Sequence, residues 1–171
     1  MTAKEEPADL GVVYDQHTRH EFVDCDLEAT MATMTAEPHT YFAPTGAGGV
    51  GHRGVSSFYQ DHFIGTGKWP ADWKIHVVSR TVGEGRLVEE FIVSFTHDVE
   101  MDYILPGISP TGRRVEVPHV VVVTFTDGKI ASEHIYWDQA SVLAQVGLLD
   151  PERLPVVGAG QAARLRELAE G

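Results

Sequence analysis

The chain has 171 residues, 43% of them hydrophobic, which is enough for one substantial core, and we expect a single domain over residues 1–171. With 13 Lys and Arg against 25 Asp and Glu, the formal net charge is -12. Such a surface repels phosphate backbones and anionic lipids, so we expect no nucleic acid partner and no membrane partner. Because no apolar run approaches the roughly 20 residues of a spanning helix and the N-terminus lacks a signal-peptide layout, the sequence predicts a cytoplasmic protein.

The first third of the chain has helical periodicity. Residues 8–35 predict two short helices, because apolar and aromatic side chains recur every three or four positions at Leu10, Val13, Tyr14 and His17, and again at Leu27, Met31 and Met34. Asp24 or Asp26 can cap the second helix. The single cysteine, Cys25, excludes an internal disulfide and is expected as a half-buried helix residue.

A short extended segment, residues 39–43, leads into a glycine-rich loop at residues 45–51. A third amphipathic helix follows, marked by Val55, Phe58, Tyr59, His62 and Phe63. The loop matches the glycine pattern of dinucleotide-binding sites. However, the parallel strand that such a site requires is not predicted after it, so we expect a flexible loop at the rim of a pocket.

From residue 73 onwards the sequence predicts four strands, at residues 73–82, 86–103, 114–126 and 129–137, which are rich in β-branched and aromatic residues. Asp127-Gly128 tolerates the positive φ of a tight hairpin turn, so the strands should form an antiparallel meander. A helix is expected from Asp138 to the left-handed cap at Gly147. Residues 150–171 should form a connector and a short helix.

Helices followed by a run of strands predict an α+β fold. A long antiparallel sheet must twist and curl, and here it would wrap around the N-terminal helices. The result is a cone with an internal pocket, built by residues of about 8–149. Ligands bind in such concave spaces.

Several motifs occur together in a fixed order. They are Thr96-His97, the loop Pro-Gly-Ile-Ser-Pro-Thr-Gly-Arg at residues 106–113, Asp-Gly-Lys-Ile at residues 127–130, then Glu133, Trp137-Asp138 and Gln-Val-Gly-Leu at residues 145–148. This series of motifs resembles the motif pattern of the SnoaL-like polyketide cyclases, a group within the nuclear transport factor-like superfamily. The motifs span residues 96–149, with weaker agreement upstream.

The resemblance implies a cone-shaped fold shared by polyketide cyclases, ketosteroid isomerase, scytalone dehydratase and limonene epoxide hydrolase, and also by non-enzymatic binding domains. It implies acid–base catalysis on a small-molecule substrate with no cofactor and no metal. It also implies a homodimer, because relatives commonly dimerise through the exposed face of the sheet. Many relatives have an Arg where this chain has Thr124, so the substrate contact of that Arg is not expected here.

Side chains alternate across a strand, so the apolar set of each strand should face the pocket. On three neighbouring strands this parity places His97, His119 and Glu133 inward, where they could converge as catalytic residues. A neutral imidazole can accept a proton, and a desolvated Glu has a raised pKa, so the trio suits general acid–base catalysis. The alternative is that each histidine is a hydrogen-bonded core residue.

Four aromatic residues are candidates for substrate binding: Tyr14, Tyr41, Phe63 and Trp137. Each is equally compatible with a role in the core. Asp138 directly precedes a predicted helix, so an N-cap is favoured over a catalytic role. His17 and His20 stand three apart on a helix, but no third metal ligand follows at a recognisable spacing, so we expect a solvated polar face.

The sequence therefore predicts a cofactor-free enzyme that cyclises, isomerises or dehydrates an apolar metabolite bearing carbonyl or hydroxyl groups. Two alternatives remain open. One is an epoxide or lactone hydrolase that positions a water molecule in the same pocket. The other is a ligand-binding domain without catalysis.

Overall fold

In a computed structural model of the protein, residues 9–171 are described. Ala8, where the first helix is expected to begin, lies outside them. The helices are α1 Leu10–Arg19, which continues into a π-helical turn at His20–Asp24, α2 Leu27–Ala32, α3 Gly51–His62, a 3₁₀ turn at Ile64–Thr66, α4 Gln139–Gln145 and α5 Gly160–Glu170. None of the helices within the described residues has the length and apolar character that crossing a bilayer requires.

Six strands form one curved, unclosed sheet: β1 Met34–Phe42, β2 Ala47–Val50, β3 Lys74–Gly83, β4 Arg86–Thr96, β5 Arg114–Thr126 and β6 Lys129–Trp137. Their order is β2-β1-β6-β5-β4-β3. Neighbours are antiparallel except β1 and β6, which run parallel. The α+β class and the meander of the last four strands are therefore confirmed.

The predicted turn and cap signals act as expected. Asp127 and Gly128 have φ of 50° and 73°, the left-handed values that a tight hairpin turn requires. Asp26 caps α2 by accepting a hydrogen bond from the amide of Ala29 at 3.0 Å. Cys25 differs from expectation, because it is exposed and ends the π-helical turn with φ of 49°.

Strand β4 is shorter than the predicted segment, because it ends at Thr96 rather than at residue 103. After Thr96 the chain leaves the sheet in a loop, and two backbone hydrogen bonds join the two ends of this loop. The amide of His97 donates to the carbonyl of Arg113 at 2.9 Å, and the amide of Gly112 donates to the carbonyl of His97 at 2.8 Å. His97 therefore lies at the base of this loop, just beyond the last residue of β4.

The glycine-rich segment forms a strand rather than a flexible loop. Strand β2 pairs with β1 and packs against the start of α3. At Gly49 a Cβ atom would lie 2.3 Å from the carbonyl oxygen of Gly54, so only glycine fits there without a shift. These glycines allow a strand and a helix to approach each other.

Candidate active site

A cavity of about 410 Å³ lies between the concave face of the sheet and the N-terminal helices. Most of its wall is aromatic or aliphatic, contributed by residues such as Phe22, Phe42, Phe63, Trp73, Phe91 and Val121. The expected internal pocket is therefore present. Polar side chains are concentrated at a few places on this wall, and they determine what the cavity can do.

The first polar group is a buried cluster formed by α1, the π-helical turn, α3 and β6. The Nε2 atom of His17 lies 3.2 Å from a carboxylate oxygen of Glu21 and 3.3 Å from one of Glu133. The hydroxyl of Tyr59 donates to the same oxygen of Glu133 at 3.0 Å. His17 is fully buried, and Glu21 and Glu133 are each only 5% exposed.

The orientation of His17 is fixed from its other side. Its Nδ1 atom lies 2.6 Å from Oγ1 of Thr33, whose hydroxyl hydrogen is already donated to the carbonyl of Thr30. Thr33 can then only accept, so Nδ1 carries a proton. Nε2 is left facing the two carboxylates.

Burial and charge act in opposition within this cluster. Burial of the imidazole disfavours its protonated form, but the charges of Glu21 and Glu133 outweigh this effect and raise the pKa of His17 to about 10. Burial raises the pKa of Glu21 above its usual value. Burial also acts on Glu133, but His17 and the Tyr59 hydroxyl lower its pKa overall. The cluster therefore pairs an imidazolium with a Glu133 carboxylate.

His119 is the second polar group on the cavity wall. Its ring is stacked between Phe91, at 5.3 Å between centroids, and Trp137, at 5.1 Å. Nδ1 lies 3.1 Å from the carbonyl of Val117, which can only accept, so Nδ1 carries the proton and Nε2 presents a lone pair. Burial lowers the pKa of His119 to about 4. His119 is thus a neutral imidazole of fixed tautomer on the cavity wall.

The two polar groups on the wall, the cluster around His17 and the imidazole of His119, are separated along the sheet. His119 pairs with Trp137 in the β5–β6 register, whereas Glu133 pairs with Val123. Four residues of strand correspond to about 13 Å between the backbone positions. His119 and Glu133 therefore share the cavity but stand at different ends of its wall.

His97 is not one of the residues that line the cavity. Its Nδ1 atom accepts from the amide of Thr111 at 3.3 Å and lies 3.2 Å from the Thr111 hydroxyl. This corrects the expected convergence of three residues, because His97 is fully buried beyond the end of β4 and lies outside the cavity. His97 instead supports the loop between β4 and β5.

Only two of the four aromatic candidates line the cavity. Tyr14 and Phe63 line the cavity. Tyr41 is 46% exposed and lies on the outer face against His134, because its neighbours Thr40 and Phe42 face inward. Trp137 stacks on His119 and is not one of the residues that line the cavity. The expected placement is thus corrected for Tyr41 and Trp137.

Asp138 is engaged as a helix cap. Its carboxylate accepts from the amide of Ser141 at 3.2 Å, from the Ser141 hydroxyl at 2.8 Å and from the side-chain amide of Gln161 at 2.6 Å. These bonds outweigh the effect of partial burial and lower the pKa of Asp138. The capping interpretation is the one that this geometry supports.

Three residues that line the cavity each have a buried polar atom without a hydrogen-bond partner among residues 9–171: the Tyr103 hydroxyl, Nε1 of Trp73 and Oγ1 of Thr40. Buried polar groups normally have partners, because leaving one unpaired costs about 1–3 kcal/mol. Burial raises the pKa of Tyr103, which keeps its hydroxyl protonated. These atoms keep a hydrogen-bonding capacity that the described residues leave unused.

Arg80 adds a charged group at the side of the cavity nearest α1. A register shift in β3 between Val77 and Ser79 turns its side chain to the cavity face. Its guanidinium binds Asp15 of α1 at 2.8 Å and also Glu89 of β4. Because two carboxylates already neutralise it, Arg80 links the helix to the sheet.

Sequence reasoning missed His17, Glu21 and Tyr59, and the expected solvated face at His17 is corrected. One signal was present, since His17 continues the apolar spacing of Leu10, Val13 and Tyr14 and so belongs to the buried side of α1. Glu21 and Glu133 could not be linked to it, because the π-helical turn that directs Glu21 inward has no sequence signature.

Solved structures resemble this chain over most of its length. TsrD from Streptomyces laurentii has a TM-score of 0.64 and 16% identity, with 85% of this chain and 100% of that chain covered. AclR from Streptomyces galilaeus has a TM-score of 0.61 and 21% identity, with 84% and 99% covered. A SnoaL-like polyketide cyclase candidate from Jannaschia sp. CCS1 has a TM-score of 0.61 and 17% identity, with 85% and 97% covered.

At these identities the structures show the fold alone. No curated protein matches the sequence. The family described as SnoaL-like polyketide cyclase matches residues 71–146, which include β3–β6 and the long loop between β4 and β5. The resemblance seen in the sequence motifs is therefore confirmed: residues 71–146 match the SnoaL-like polyketide cyclase family, and the fold is the one that SnoaL-like and nuclear transport factor-like structures share.

Proposed function

We propose that this protein is an enzyme that removes a proton from a carbon next to a carbonyl group of a small, largely apolar substrate. Cyclisation, isomerisation or dehydration would follow from the enolate. The observation that carries the proposal is His119, a neutral imidazole with an open Nε2 on the wall of an otherwise apolar cavity. The family match and the described architecture support it.

His119 would act as the general base. A general base must be unprotonated at the working pH. Because burial lowers the pKa of His119 to about 4, its imidazole stays uncharged at pH values well below 7. The stacked rings of Phe91 and Trp137 hold the imidazole in one orientation, and the carbonyl of Val117 holds one tautomer. The lone pair of Nε2 is then presented without rearrangement.

Removing such a proton places negative charge on the carbonyl oxygen, which requires hydrogen-bond donors in the cavity. Tyr103 and Trp73 line the cavity, and their donors, the hydroxyl and Nε1, are without partners among the described residues. They would hold the enolate oxygen. The apolar wall would strengthen these bonds by excluding water.

At the far end of the wall, the Tyr59–Glu133 pair would bind a second oxygen of the substrate and set its direction in the cavity. The backbone positions of His119 and Glu133 are about 13 Å apart along the sheet, and a substrate of two or three fused rings would extend between their side chains better than a single short chain. In this proposal Glu133 orients the substrate, and the proton is taken by His119.

Proton exchange tests this proposal without knowledge of the natural substrate, because all three reactions begin with the same step. Bicyclic aryl ketones such as tetralones would be incubated with the protein in D₂O, and loss of the α-proton followed by NMR. We expect His119→Gln to slow exchange by at least about 100-fold. His97→Gln is the matched control, and it should exchange like the wild type.

Equal exchange by His119→Gln and the wild type, or loss of exchange in His97→Gln alone, would refute the assignment. Near-UV circular dichroism shows whether both variants retain the native packing.

A hydrolase is the second candidate, and the paired carboxylates Glu21 and Glu133 favour it, because two buried carboxylates can position a water molecule. Reaction in heavy-oxygen water separates the two functions. Label in the product of an epoxide or lactone would indicate hydrolysis, and its absence together with α-proton exchange would indicate the isomerase or cyclase.

A further inference from the structure

The buried cluster on the cavity wall has the composition of a metal site. His17, Glu21 and Glu133 each offer one donor atom, and these atoms lie within 4.8 Å of one another. A cation about 2.0–2.2 Å from each ligand requires donor atoms roughly 3.0–3.5 Å apart. The distances from Nε2 of His17 to the two carboxylates, 3.2 and 3.3 Å, fall in this range.

The direction of the imidazole is a second observation. Although both oxygens are close, neither contact has hydrogen-bond geometry, and Nε2 of the fully buried His17 has no hydrogen-bond partner among residues 9–171. The in-plane direction of Nε2 is therefore not aligned with either carboxylate oxygen. The Nε2 atom is therefore left without a partner beside two carboxylates, as a ligand of an absent ion would be.

The surroundings support the three donors as they support known metal ligands. Nδ1 of His17 donates to Thr33, which fixes the ring with Nε2 directed at the carboxylates. The Tyr59 hydroxyl donates to Glu133 and holds that carboxylate in place. Hydrogen bonds to the ligands from a second layer of residues are typical of metal sites.

The charge also fits a divalent cation. Glu21 and Glu133 have a combined formal charge of -2 when both are ionised, and within the described chain no Lys or Arg side chain forms a salt bridge with either of them. The His17 imidazolium compensates only one of these two charges, and an uncompensated buried charge is costly. A divalent ion would neutralise the pair.

We propose that His17, Glu21 and Glu133 bind a first-row divalent transition-metal ion, such as Zn²⁺, Co²⁺, Mn²⁺ or Fe²⁺, with further coordination positions open to the cavity. One imidazole and two carboxylates suit these ions. Glu21 and Glu133 both line the cavity. This site departs from the metal-free expectation from the sequence and goes beyond the proposed function, which stands on His119.

Titration of the full chain with Co²⁺ after chelator treatment tests the site, because the visible spectrum of Co²⁺ reports coordination and calorimetry reports stoichiometry. We expect one equivalent to bind to the wild type. His17→Ala and Glu21→Gln should each weaken binding at least 100-fold. Glu21→Gln keeps the side-chain volume, so it carries the test if His17→Ala does not fold.

The chain offers two matched controls. His20 and Asp24 have the same spacing of four residues as His17 and Glu21 and lie 3.0 Å apart, but their side chains are about 30% exposed. His39 and His134 lie 2.8 Å apart on the outer face. His20→Ala and His134→Ala should leave Co²⁺ binding unchanged, as should His119→Gln, which separates this site from the proposed base.

The proposal is overturned if the wild type binds no equivalent of Co²⁺. It is equally overturned if Glu21→Gln binds as the wild type does, or if the equivalent is lost in His20→Ala or His134→Ala instead.

Discussion

The imidazole of His17 and the carboxylate of Glu133 lie 3.3 Å apart, with no solvent access to the first and little to the second. The first residue is on α1 and the second is on β6, so this contact joins the N-terminal helix to the sheet. Around it are Glu21 and the Tyr59 hydroxyl, and the cavity lies beside them. The same contact thus ties the helix in place and gives the cavity its most polar wall.

Removing the charge of Glu133 should destabilise the fold strongly. Breaking a buried ion pair by removing one partner costs about 3–5 kcal/mol, because the other charge stays buried. Glu21 still faces His17 in Glu133→Gln, so we expect a loss near the lower end, about 3 kcal/mol, in the free energy of unfolding measured in urea. Glu84→Gln, in an exposed turn, should change it by less than about 0.5 kcal/mol. Equal effects of the two variants would show that the pair does not hold the helix.

Asp138 can be tested as a cap independently of catalysis. Asp138→Ala removes three hydrogen bonds at the start of α4 and should lower the free energy of unfolding by about 1–2 kcal/mol. Asp138→Asn retains part of the capping and should cost less. Neither variant should reduce α-proton exchange at a temperature where both are folded. Loss of exchange in stably folded Asp138→Asn would instead assign the carboxylate to the chemistry.

The fold was predictable because its signals are local. The Asp127-Gly128 turn, the Asp26 cap and the alternation from Val115 to Phe125 each depend on neighbouring residues, and the structure has them where the sequence puts them. Burial along β5 alternates without interruption, which is why His119 faces the cavity as expected.

The site was only partly predictable because it depends on irregular backbone. The end of β4 removes His97 from the sheet, the register shift in β3 brings Arg80 to the cavity, and a π-helical turn directs Glu21 inward. None of these features follows from hydrophobic periodicity. The cluster around His17 also joins four separate elements, so its members cannot be associated from one sequence alone.

Two glycines in contact provide a matched test of packing between β2 and α3. In Gly49→Ala the new Cβ would lie 2.3 Å from the carbonyl oxygen of Gly54, so backbone must move, and we expect a loss of about 1–3 kcal/mol. In Gly54→Ala the nearest atoms are 3.7 Å away, and alanine favours the helix by up to about 1 kcal/mol. Urea unfolding should therefore show opposite signs. Stabilisation by Gly49→Ala would contradict the close approach.

The pH dependence of stability should carry a component from His119. Burial lowers its pKa from 6.5 to about 4, so the folded protein resists a proton that the unfolded chain accepts. Neutral His119 therefore contributes stability that is fully present above pH 6.5 and is lost as the pH falls towards 4. The shift corresponds to about 3 kcal/mol. Other groups titrate in this range as well, so the measurement is the difference between the wild type and His119→Gln in urea at pH 7.5, 5.5 and 4.5. Between pH 7.5 and pH 4.5 the free energy of unfolding of the wild type should fall by about 2.5 kcal/mol more than that of the variant. A constant difference would mean that His119 is already solvated in the folded state.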